Sequence, residues 1–117
     1  MSSKRARMLS NKITVKSLSL SSFVRSENID SIDLVKMDIE GSETEVLCDL
    51  DKHNYLKNVE RIVLEYHHNM CKQKTDLSML LSLFEKNDFG YQIDAKCASA
   101  NYKNKFQDVV LYCYKND

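Results

Sequence analysis

Asp33-Leu-Val-Lys-Met-Asp-Ile-Glu-Gly-Ser-Glu-Thr-Glu-Val-Leu47 reads as a strand, a turn and a helix in quick succession. Leu34, Val35 and Met37 form a short apolar run that ends in Asp38 and Glu40. Gly41 then lets the chain turn sharply. Ser42 followed three residues later by Glu45 has the form of a capping box, and Val46, Leu47 and Leu50 supply the apolar face of the helix that follows. The reading is a buried strand with a tight acidic turn at its carboxyl end, the place where open α/β sheets bind their ligands.

The flanking sequence extends this pattern. Ahead of it, Ile13-Thr-Val-Lys-Ser17 alternates apolar and polar residues as a short edge strand does, and Leu18, Leu20, Phe23 and Val24 predict a helix of one to two turns with serine caps. Asn28 to Ser31 is read as the turn into the central strand, and the helix after it as Glu43 to Asp51. Arg61-Ile-Val-Leu-Glu-Tyr66 is a second apolar run, without alternation, as expected of a strand covered on both faces; it leads into His67 and His68. Asn69 to Lys74 reads as a loop. Thr75 or Asp76 can cap the next helix, whose Leu77, Leu80, Leu81 and Phe84 fall at i, i+3, i+4 and i+7. Gly90 suits the left-handed residue after that helix. Tyr91 to Ala95 and Phe106 to Tyr114 read as two strands joined by the polar connection Lys96 to Lys105, and so as an antiparallel pair. The sum predicts an α/β fold, a mostly parallel sheet with an antiparallel last strand at its edge and helices on both faces. Residues 1–11, with Lys4, Arg5 and Arg7, read as a disordered basic tail, and 12–117 as one domain.

Composition narrows the function classes. The 117 residues suffice for one core, and 43% hydrophobic with 29% charged residues is ordinary for a globular domain. Seventeen basic and seventeen acidic side chains cancel, which leaves no basic field for nucleic acid. No apolar run is long enough to span a membrane, and the first twelve residues lack a signal-peptide core, so a cytoplasmic location is expected. Cys48, Cys71, Cys97 and Cys113 are scattered and read as packed thiols, not a disulfide framework. There is no phosphate-binding glycine loop, and Gly41 stands too early after Asp38 for a calcium-binding loop.

The run "LVKMDIEGSETEVL" resembles the signature of the FkbM family of S-adenosylmethionine-dependent methyltransferases. "ITVKSLSLSSFV" ahead of it, and "IVLEYH" and "FGYQI" behind, extend the resemblance over Ile13 to Tyr114. The resemblance implies the carboxyl-terminal half of a Rossmann-like methyltransferase sheet, its fourth to seventh strands, with the cofactor-binding first half absent. It also implies S-adenosylmethionine as cofactor and O-methylation of a small-molecule or sugar hydroxyl. The chain has only two glycines, Gly41 and Gly90, so it lacks the glycine-rich turn that cradles the cofactor in such enzymes. The other expectation is therefore a non-catalytic α/β module or remnant, needing a partner chain that brings that half. An edge of the central strand left open by the missing strands would favour self-association or such a partner.

Asp38 and Glu40 end one strand, and Glu65 and His67 end the next. If the two strands are parallel neighbours, about 4.8 Å apart, these side chains meet at one rim. Transfer of a methyl group to a hydroxyl needs a base for the hydroxyl proton. His67 or Glu40 is the expected base, with Asp38 and Glu65 orienting substrate or cofactor. Glu43 and Glu45 read as partners of the helix dipole. The resemblance requires no metal, and His67, His68 and Cys71 lack zinc-ligand spacing. His53 and His68 read as surface or partly packed residues.

Overall fold

A computed structural model describes residues 11–68, 76–95 and 107–117. The described elements are α1 (Leu20–Ser26), β1 (Ile32–Met37), α2 (Glu43–Lys52), a 3-10 turn (Leu56–Asn58), β2 (Val59–His68), α3 (Leu77–Lys86), β3 (Phe89–Ala95) and β4 (Gln107–Lys115). The strands form one mixed sheet in the order β1-β2-β4-β3. β1 and β2 are parallel, with Met37 opposite Leu64. β4 runs antiparallel to both of its neighbours, β2 and β3. The described residues make an α/β fold with a four-stranded mixed sheet and three helices.

Two sequence expectations about this architecture need correction. The antiparallel last strand does not lie at the edge: β4 inserts between β2 and β3, which therefore run parallel to each other. The helices do not cover both faces either. Among the described residues α1 packs on α2 and α2 on α3, in one layer. The crossovers β1-α2-β2 and β2-α3-β3 step the same way across the sheet, and right-handed crossovers of that kind put both helices on one side. Burial records this. Val109, Leu111 and Cys113 of β4 are buried, while Tyr112 between Leu111 and Cys113, and Tyr114 after it, are exposed.

The core lies between the helical layer and that face. Ile62, Leu64 and Tyr66 of β2 meet Leu47 and Leu50 of α2 and Leu80 and Phe84 of α3. Each fully buried leucine stabilises the fold by about 1.5–3 kcal/mol relative to exposure. Phe84 meets Phe89 edge to face at 5.9 Å, closing the α3–β3 corner. Tyr66 fastens β2 to α3: its hydroxyl donates to Asp76 Oδ1 at 2.6 Å and accepts the Asp76 N–H at 3.1 Å. Asp76 occupies the N-cap position of α3, yet its side chain makes no cap bond.

Local expectations fared unevenly. Ser19 caps α1 as read, its Oγ accepting from the Ser22 N–H at 3.2 Å. Ile13–Ser17 is not a strand: residues 11–18 form no regular element and all are exposed. Alternation marks a segment fit to pair, but a strand needs a neighbour to pair with. Ser42 makes no cap bond, so the capping box is not formed. The left-handed residue after α3 is Asp88 (φ 60°) and not Gly90, because a short polar side chain tolerates that region. Gly90 lies within β3, where a Cβ would come 2.6 Å from the Tyr114 ring. The tail at residues 1–10, the loop at 69–74, Thr75, the connection at 96–105, Cys71 and Cys97 fall outside the described residues.

Candidate active site

β1 ends at Met37, and the chain then turns through Glu40 (φ 56°) and Gly41 (φ 108°) into α2. Gly41 adopts that conformation freely, whereas Glu40 does so at a cost of about 1–2 kcal/mol. The turn is held from below by Glu43, the first residue of α2 and only 1% exposed. Its Oε1 accepts the N–H of Ile39 at 3.3 Å and of Gly41 at 3.1 Å. A carboxylate at a helix N-terminus is also favoured by the helix dipole. Glu43, in place of Ser42, thus ties the turn to the helix.

The parallel register sets what faces this turn. Met37 lies opposite Leu64, so Asp38 and Glu65 follow side by side. The neighbouring Asp38 charge, aided by burial and a shared hydrogen bond, pushes the Glu65 carboxyl above the usual carboxylate range. Two residues further along β2 stands His67, its side chain 7% exposed. Its Nδ1 is 3.5 Å from Glu43 Oε1, and its Nε2 is 3.7 Å from both Glu40 Oε2 and Asp108 Oδ1. Asp108 arrives from β4, where it is the register partner of His67.

All four residues singled out from the sequence, Asp38, Glu40, Glu65 and His67, therefore come together at the carboxyl ends of β1 and β2. Two more that sequence reasoning missed join them. Glu43 read as a dipole partner because nothing local says that its side chain turns back under the strand end. Asp108 is distant in sequence and becomes visible only through the β2–β4 register. Ligand atoms of Asp38, Glu40 and His67 lie within 4.8 Å of one another, as do those of Glu65, His67 and Asp108. Carboxylates with an imidazole are a donor set that can hold a divalent cation. His53 lies apart, beside Asp49 on α2, and is exposed, as expected. The described thiols are packed groups: burial raises the pKa of Cys48 and pushes that of Cys113 up to about 12.

Next to Asp38 a groove of about 800 Å³ runs along the outer edge of β1, lined by Met37, Ile39 and Val46 near the site. No helix of the described residues is long and apolar enough to cross a membrane.

Fold and geometry together define the class, an α/β fold with a cluster of acidic and imidazole side chains at the carboxyl ends of two parallel strands. The family follows from sequence comparison: residues 1–93 match the Methyltransferase FkbM domain, and the chain belongs to that family. No curated protein and no solved structure matches the chain significantly.

Proposed function

We propose that the chain serves in methyl transfer from S-adenosylmethionine to a hydroxyl of a small molecule or sugar, with the acceptor seated over Asp38, Glu40, Glu65 and His67. The observation that carries this reading is the convergence of those four side chains at one strand-end rim, in a chain of the FkbM family. The donor set suits the cofactor: the acidic rim complements a sulfonium cation, and the apolar wall of Met37 and Ile39 beside Asp38 suits a nucleoside. When bound, S-adenosylmethionine supplies an electrophilic methyl group.

The protein's part is to orient the acceptor and take its proton. His67 presents Nε2 toward Glu40 and Asp108 at the rim, 3.7 Å from each, and that nitrogen is the base in this reading. Asp38 and Glu65 orient the acceptor; the raised Glu65 carboxyl donates a hydrogen bond while it holds its proton, and Asp38 accepts one. Glu40, 71% exposed at the rim, is the first carboxylate an entering hydroxyl meets. A second reading, a non-catalytic module that works only with a partner chain bringing the cofactor-binding half, is favoured by one observation. Both glycines are committed elsewhere, Gly41 to the turn after β1 and Gly90 to β3.

The test is transfer of labelled methyl from S-adenosylmethionine to a panel of hydroxylated small molecules and sugars. The expected result is acceptor labelling that falls roughly 10²–10⁴-fold in His67→Ala and in Asp38→Ala, with the circular dichroism of the folded chain retained. Labelling that both variants leave unchanged would remove the site assignment, and no labelling by the wild-type chain would favour the module reading.

A further inference from the structure

Two features of the described structure are unsatisfied, and they match each other. The first is the outer edge of β1, which ends the sheet and leaves a row of backbone N–H and C=O groups without a strand partner. Beside that edge lies the groove of about 800 Å³, with Leu20, Phe23 and Val24 of α1 on one side and Leu34, Val35 and Met37 of β1 on the other. The second feature is the segment 11–18. It forms no regular element, yet Ile13 to Ser17 alternates as a strand does, with Ile13 at 83% and Val15 at 77% exposure on one strand face and Leu18, at 65%, out of that phase.

We propose that residues 12–18 of one copy of this chain add as a strand to the β1 edge of a second copy, and the reverse, giving a two-fold dimer. Chain addition to an open sheet edge satisfies the backbone groups and sets alternate side chains into an apolar groove. Charge favours pairing toward the start of β1: the segment brings Lys12 and Lys16, and exposed Asp30 and Asp33 stand there, with Lys36 further along the strand. The segment does not fill the groove of its own copy. It leads into α1, whose start is pinned to the helical layer by the Ser21 N–H on Asp49 Oδ2 at 3.1 Å, and it remains exposed there. Reciprocal exchange uses the same two surfaces on both copies, so the assembly closes at two and does not grow into a fibre.

The experiment is sedimentation equilibrium of the 117-residue chain from low to high micromolar concentration, with amide hydrogen exchange read across the same range. The dimer predicts a concentration-dependent mass and joint gain of protection in residues 13–17 and 32–37. Val15→Pro removes a pairing N–H at an exposed position; it should weaken association by about tenfold or more and abolish both gains, while the unfolding temperature of the dilute monomer stays put. A chain that remains monomeric throughout overturns the proposal. So does a dimer that Val15→Pro leaves intact, or protection of 32–37 without 13–17. None of these readouts uses methyl transfer, so failure of the dimer is told apart from failure of the proposed activity, although both readings place a group against Met37.

Discussion

At the scale of single residues the site is governed by crowding of carboxylates. Asp38 raises the pKa of Glu65 in the folded chain, so the folded state holds that proton more tightly than the unfolded state does. The stability Glu65 contributes is full below its unfolded value and is lost as pH rises through the folded one. At neutral pH the pair is repulsive. Glu65→Gln is therefore expected to make the protein more stable at neutral pH and to flatten the pH dependence in the mildly acidic range, measured by denaturant unfolding across pH. The same change should lower methyl transfer if Glu65 orients the acceptor. Glu43 works the other way. Glu43→Ala strips the acceptor from the N–H groups of Ile39 and Gly41, and a cost of about 1–3 kcal/mol is expected in urea unfolding, since those donors are part-buried. That Asp38, Glu40, Glu65 and His67 meet at one rim was legible because acidic and imidazole side chains stand where apolar runs stop. Glu43 was not, since a glutamate in the first helical turn has an ordinary explanation that hides a second use.

At the scale of elements, patterns that carry their own partner were legible and patterns that depend on another element were not. The 3.6-residue spacing of Leu77, Leu80, Leu81 and Phe84 contains its own hydrogen bonds, and α3 forms as expected. Ile13–Ser17 has equal regularity at a period of two, but the hydrogen bonds of a strand lie in its neighbour. The unbroken run of β2 suggested cover on both faces, yet Val63 and Glu65 are only partly buried. The Tyr66–Asp76 tie between β2 and α3 also has a measurable signature. Burial first, and then the bond to Asp76, push the Tyr66 hydroxyl from 10.0 to about 12. The folded state keeps this proton where the unfolded chain loses it, so stability is expected to fall as pH rises between those two values. Tyr66→Phe should remove that alkaline slope and cost about 1 kcal/mol at neutral pH. An unchanged slope would place its origin in other groups.

At the scale of the whole molecule, the described helices form one layer on one side of the sheet, and the acidic rim stands where β1 and β2 end. The α/β class, the parallel β1–β2 pair and the family were readable from the "KMDIEGSE" run and its surroundings, since local chemistry writes them. The place of β4 inside the sheet was not. Long-range strand order is set by how the edges and faces of the finished sheet pack, and no short stretch of sequence encodes it. The central claim is that the rim of Asp38, Glu40, Glu65 and His67 in this FkbM-family chain faces a site for S-adenosylmethionine. Thermal unfolding of the purified chain across a titration of the cofactor tests that claim most directly. A ligand that binds only the folded state raises the melting temperature with concentration. The expected result is a saturable rise in Tm that Asp38→Ala diminishes. A clean transition at the same temperature with and without the cofactor would contradict it.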